Sequence, residues 1–189
     1  MKIEHIIKFL LIALVVTLPL YFDTTMFRPF DTPKFFALMV LTICLFICVM
    51  IDPGHLKFKS PISYPIIALW VVTCFSTFFS VHPMTSLIGG SKRFDGLVSF
   101  SAYVFIFFVV INYATRRMID ILIEALIWTC FIVCEYGACQ QAGLEFFEWI
   151  KWDTRVFSTL GHPGFLAAFI VMVLPLVIYR ALTKHRLYA

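Results

Sequence analysis

Charge is scarce in this chain. Of 189 residues, 15 are Lys or Arg and 11 are Asp or Glu, so 14% carry charge, where a soluble globular domain carries about 25%. A water-facing surface cannot be built from so few charges, and a soluble fold is excluded on composition. Catalytic signatures are missing too. There is no Walker loop, no H-E-x-x-H, no G-x-S-x-G and no dinucleotide fingerprint, so nothing supports nucleotide-driven or zinc-dependent chemistry. No metal or other cofactor is expected, and nothing points to nucleic acid. No internal repeat, low-complexity tract or soluble domain is visible. Six cysteines are present (Cys44, Cys48, Cys74, Cys130, Cys134 and Cys139), but none lies in a polar loop. The pairs 44/48 and 130/134 each share a helix face, lack further ligands nearby, and read as small apolar packing residues.

What is abundant is apolar side chain: 61% of the residues are hydrophobic, 22 of them Phe. A helix needs about 20 apolar residues to cross a bilayer, with a range of about 17–25. Six runs qualify as candidate spans: Ile6–Phe22, Phe35–Ile51, Ile62–Ser80, Leu97–Tyr113, Ile119–Gly143 and Gly164–Tyr179. The first imitates a signal peptide, with Lys2 and Lys8 near its start. It lacks an A-x-A cleavage pattern and five more spans follow, so it reads as a retained helix. Pro19 and Pro175 fall inside spans, where local kinks are expected.

An even number of spans places the N-terminus, the loops 52–61 and 114–118 and the C-terminal tail on one side. That side holds Lys2, Lys8, Lys57, Lys59, Arg116, Arg117, Arg180, Lys184 and Arg186. The other holds Arg28, Lys34, Lys92, Arg93, Lys151 and Arg155, nine cations against six. The positive-inside rule then puts both termini in the cytoplasm. The expected fold class is all-α: a polytopic transmembrane helix bundle of about six spans, forming one domain over residues 1–189.

Three polar constellations interrupt this pattern. The loop 81–96, VHPMTSLIGGSKRFDG, holds His82, Lys92, Arg93 and Asp95, with Gly89–Gly90 permitting a tight turn. An arginine at a water–lipid boundary suits a phosphate, because its planar fork binds two oxygens and keeps its charge. The bland alternative is an interfacial loop in which Asp95 pairs with Arg93. The loop 144–163 holds Glu145, Glu148, Lys151, Asp153, Arg155 and His162, with Trp149 and Trp152. It reads either as an amphipathic interfacial anchor with a helix start at Pro163, or as a site where Arg155 holds an anionic headgroup and His162 shuttles a proton. In the fifth span, Glu124 and Glu135 share one helix face about 16 Å apart. Glu124 is expected near the cytoplasmic edge. Glu135 is expected deeper and facing the bundle interior, serving either an ion path or a polar contact between helices.

Three segments together resemble the O-antigen ligase / O-antigen polymerase-like membrane protein family. They are FDTPKFFAL (30–38), FSVHPMTSLIGGSKRFDGL (79–97) and RVFSTLGHPGFLAAFIVMVLPL (155–176). The second is similar to the family's Ser-x-x-Pro…Ser-Leu-x-Gly…Arg-x-Asp-Gly-Leu loop. The third is similar to its Arg…Gly-Asn/His-Pro-Asn-x-Leu-Ala…Leu-Pro segment, with Gly164 where the family usually has Asn. Family members typically have ten or more spans and a large outer loop in their second half, so this chain looks like an N-terminal half or a truncated product. The resemblance implies glycan transfer at the outer face of a bacterial inner membrane. A glycan on polyprenyl pyrophosphate is the donor, and a hydroxyl of a glycan, a lipid A core or a protein displaces the pyrophosphate. It makes Arg93 and Arg155 candidate pyrophosphate contacts and His162 and Asp95 loop-shaping residues, and it places the catalytic residues beyond residue 189. A small-solute or inorganic-carbon transporter, with Glu124 and Glu135 on its path, and a non-catalytic truncated membrane subunit are the alternative readings.

Overall fold

The structure, a computed structural model, describes residues 2–53, 61–90, 93–144, 147 and 155–187, with side chains given from residue 3 to residue 183 within these. Among the described residues it is all-helical. Seven α-helices follow one another: α1 Lys2–Leu20, α2 Asp31–Ile51, α3 Ser63–Phe78, the short α4 Pro83–Ile88, α5 Leu97–Tyr113, α6 Arg116–Gln141 and α7 Pro163–Leu187. A 3-10 turn, Ser158–Leu160, precedes α7. The segment expected to be amphipathic around Trp149 and Trp152 lies outside the described residues, as do Lys57, Lys59, Lys92, Lys151 and the acidic residues Glu145, Glu148 and Asp153.

Among the described residues, three helices are by length and composition long and apolar enough to cross a membrane: α1 over Ile3–Leu20, α2 over Asp31–Ile51 and α7 over Pro163–Thr183. The helices α3 and α5 are equally apolar but shorter, at 16 and 17 residues. The core is narrow and runs along α1. Ile7, Leu11 and Leu14 repeat at helical spacing and meet Leu38, Leu45 and Val49 of α2, Ala102 and Val109 of α5 and Met118 of α6. Large side chains elsewhere, among them Phe9, Val72, Phe75, Phe131, Val171 and Met172, are exposed. This inverted distribution is what a bilayer solvates and water does not.

The start of α6 is set by Thr115, whose hydroxyl accepts from Met118 N at 3.3 Å, an N-cap that carries the helix back over Arg116 and Arg117. At the same end of the bundle Arg180 of α7 binds Asp120 at 2.7 Å and lies 3.6 Å from Glu124. Glu124 therefore serves an interhelical contact. That pair also sets the level of the two antiparallel helices. At about 1.5 Å per residue, Pro163 stands about 25 Å above Arg180 and Glu135 about 22 Å above Asp120. Glu135 is thus close to the level where α7 begins, and it is exposed. The expectation that it faces the bundle interior is corrected: the interior face of α6 is taken by Thr129, Cys130, Val133, Gly137 and Gln140. Gly137 is there because a side chain would crowd Val156, whose Cγ1 lies 3.2 Å from where a Cβ would stand.

Candidate functional site

The loops joining α1 to α2, α3 to α5 and α6 to α7 meet at one end of the bundle, here called the rim. Two sharp backbone devices shape it. The first lies between α4 and α5. Gly89 ends α4 at φ +95°, and the chain returns through Phe94, itself at φ +54°, so that Gly96 crosses over Gly89. A Cβ on Gly96 would overlap Gly89 N, Leu87 O and Ile88 C, and one on Gly89 would overlap Asp95 N. Ser99 Oγ, one turn into α5, donates to Phe94 O, and the Phe94 ring stacks on Phe35 of α2 at 4.6 Å between centroids. Arg93 lies between these glycines in sequence, and its N donates to Gly90 O at 3.0 Å.

The second device is the segment 157–161. Gln140 Oε1 accepts from both Phe157 N and Ser158 N at 2.9 Å, and Ser158 Oγ donates to Val133 O at 2.6 Å. Thr159 Oγ1 donates to Pro19 O at 2.8 Å, which satisfies a carbonyl in the last turn of α1 that helix geometry leaves open. Lys34 Nζ donates to Thr159 O at 2.7 Å across 125 residues of sequence. Gly161 then turns at φ +76° with its α-carbon against the Phe30 ring, where a Cβ would overlap the ring. Replacing Lys34 with Met is expected to lower the unfolding free energy by about 1.5 kcal/mol, the lower end for a hydrogen bond to a charged donor. Chemical denaturation in detergent measures it, and an unchanged midpoint would remove Lys34 from this role.

His162 follows directly. Its Nδ1 accepts from Gly164 N at 3.0 Å, so it caps α7, and the proton of the neutral ring resides on Nε2. The His162 ring lies 5.3 Å from the Phe165 ring, and the Arg93 guanidinium lies over the same ring at 5.6 Å. Phe165 thereby places an arginine from one loop beside an imidazole from another. Around them is a cavity of about 250 Å³ lined by Arg28, Phe30, Asp31, Arg93, Leu160, Gly161, His162 and Phe165. A neighbouring cavity of about 210 Å³ shares Asp31 and Arg93 and reaches Lys34, Ser99 and Tyr103. Two guanidinium groups with one carboxylate leave the first cavity net positive, a setting suited to a phosphate or pyrophosphate. No cluster of three or more metal-ligating side chains occurs among the described residues.

Of the residues singled out from sequence, Arg93 and His162 come together here. Arg155 is exposed at the start of its segment and does not line the cavity; Asp95 is exposed beside the glycine crossing, also outside the lining. No ion pair joins Asp95 to Arg93 among the described residues, so the interfacial-loop alternative loses its expected pair. Two contributors escaped sequence reasoning as site residues: Arg28, whose signal was its position on the same predicted side, and Gln140, which sets the segment that presents His162. Compared with known proteins, the chain matches no family model, no curated protein and no solved structure.

Proposed function

We propose that this chain is a six-span bundle with both termini cytoplasmic, its rim at the outer face of a bacterial inner membrane. The rim would hold the pyrophosphate of a polyprenyl-linked glycan, as the N-terminal part of an O-antigen ligase/polymerase-like glycan transferase. The observation that carries the proposal is the convergence of Arg93 and His162, from the second and third resembling segments, on one positively charged cavity beside Arg28. In such a transfer an acceptor hydroxyl attacks the anomeric carbon and the glycosyl–phosphate bond breaks. Negative charge then gathers on the departing pyrophosphate. Fixed guanidinium groups stabilise that charge without a metal, and they do so best when they need not reorganise. Arg93 and Arg28 supply the fixed charge, and His162, with Nε2–H as a donor, supplies a hydrogen bond to a phosphate oxygen. The acceptor would be a glycan, lipid A core or protein hydroxyl.

Arg93→Ala is expected to weaken inorganic pyrophosphate binding at least about tenfold, the loss of one charge-assisted bidentate contact, with Arg93→Lys in between. Isothermal titration of the purified chain in nanodiscs measures this. Equal affinities for the wild type and Arg93→Ala would remove Arg93 from the site. Glu124, engaged by Arg180, and Glu135, exposed near the rim, give the transporter reading no continuous interior row of acids.

A further inference from the structure

We infer that Asp31 sets the charge of the anion that the rim cavity retains, favouring an esterified diphosphate over the more highly charged diphosphate released when that ester is cleaved. The inference rests on the anion-binding reading above and concerns selection within it. Asp31 is the first residue of α2. Among the described residues it is the one carboxylate lining the 250 Å³ cavity, and it is also the one carboxylate lining the neighbouring 210 Å³ cavity. Arg93 lines both spaces, Arg28 the first and Lys34 the second. No hydrogen bond or ion pair joins Asp31 to any of these cations among the described residues.

The carboxylate is nevertheless held in place. Phe30, the residue before it, has its ring against the Gly161 α-carbon and edge-on to Phe157 at 5.8 Å. Lys34, one helical turn after it, donates to Thr159 O at 2.7 Å. Both flanks of Asp31 are thus tied to the 157–161 segment that presents His162. A half-buried carboxylate left unneutralised in such a space weakens any anion that binds there, and weakens it more the higher the anion's charge. An acid in the first turn also complements the dipole of α2, but a side chain turned away from both cavities would serve that role equally well. In the transfer, the bond from the anomeric carbon to the phosphate oxygen breaks with its electron pair left on that oxygen, and the proton of the acceptor hydroxyl passes to water. A diphosphate with one charge on each phosphate then becomes one with an added charge at its freed end. Asp31 opposes that charge in full once the product has formed, and only in part at the transition state, where the charge is still developing. Arg28 and Arg93 hold the substrate, and Asp31 hastens the departure of the product.

The test uses the whole chain in phosphatidylcholine nanodiscs and two ligands without lipid chains: inorganic pyrophosphate, and its dimethyl ester with a methyl on each phosphate. At pH 8 the ester keeps a single charge per phosphate, whereas the free ends of inorganic pyrophosphate ionise again above about pH 6. In isothermal titration Asp31→Asn should bind both ligands more tightly than the wild type. The gain for inorganic pyrophosphate should be about tenfold larger than the gain for the ester, the effect of a unit charge several ångströms away at an intermediate dielectric. Asp31→Glu should keep the wild-type ratio of affinities. Asp31→Ser removes the charge with a different shape and should repeat the Asn result, which separates charge from packing. Equal gains for the two ligands, weaker binding in Asp31→Asn, or a Ser variant that behaves like the wild type overturns the role of Asp31 alone and leaves the cavity an anion site. No binding of either ligand by the wild type overturns the anion reading and this inference together.

Discussion

Gly96→Ala is expected to cost at least about 3 kcal/mol of stability, enough to leave little folded protein, because the added methyl has no flexible neighbour to displace. Its contacts would be Gly89 N, Leu87 O and Ile88 C, all main-chain atoms. Relief would require α4 and α5 to separate, breaking the Ser99–Phe94 bond and the Phe94–Phe35 stack that fix this return of the chain. Gly89→Ala meets the reciprocal clash with Asp95 N and also places a side chain at φ +95°, a region that L-residues rarely adopt. Gly90 is the control. It is the immediate neighbour, yet a Cβ there meets nothing within 4 Å, so Gly90→Ala should melt with the wild type. Thermal unfolding of the three variants in detergent separates a requirement for close approach from a general need for glycine. A Gly96→Ala protein that melts like Gly90→Ala would show that the crossing is not as tight as drawn. Arg93 lies between the two crossing glycines in sequence, so pyrophosphate affinity should fall together with stability in Gly96→Ala.

The helices were legible because apolar runs are long and their breaks are chemically distinct. The helix α5 begins at Leu97, after Gly96, and ends at Tyr113, ahead of the Thr115 cap, the bounds expected for the fourth span. The last helix runs on to Leu187, past the expected end at Tyr179, because Arg180 finds acidic partners on α6 and need not mark a boundary. Glu135 was misplaced for a related reason. Helical periodicity put it on one face with Glu124, but which face turns inward depends on what packs there, and Gly137 and Gln140 claim the interior for the 156–158 segment. In the site, Arg93 and His162 were legible as polar residues at the ends of apolar runs. Arg28 was a lone cation in a short connection, with nothing local to tie it to a loop 65 residues away. Lys34 stood out beside Pro33, but its bond to Thr159 spans 125 residues of sequence and follows from tertiary structure alone.

The same holds for Gln140, and its replacement is the second large effect expected. Gln140→Leu leaves the N–H groups of Phe157 and Ser158 without their acceptor. Ser158 is fully buried, and each orphaned group costs about 1–3 kcal/mol, so about 2–6 kcal/mol in all. The loss should be amplified by strain. Ser158 sits at φ +51°, a conformation costing about 1–3 kcal/mol that persists only while its surroundings hold it. Once Oε1 is gone, Ser158 keeps its Oγ bond to Val133 O, and the segment carrying Gly161 and His162 should loosen first. Gln140→Glu distinguishes acceptor from packing. The buried Nε2 makes no hydrogen bond, so exchanging the amide for a carboxyl surrenders no contact and keeps the oxygen that receives both N–H groups. The Glu variant should therefore retain most of the stability that the Leu variant loses, read as two separated melting transitions in the same detergent. It should also retain pyrophosphate affinity, because the position of His162 against Phe165 depends on the same turn. If the Leu and Glu variants unfold alike, the paired acceptor is not what holds the rim, and the close contact of Gly137 with Val156 and Ser158 takes over that role.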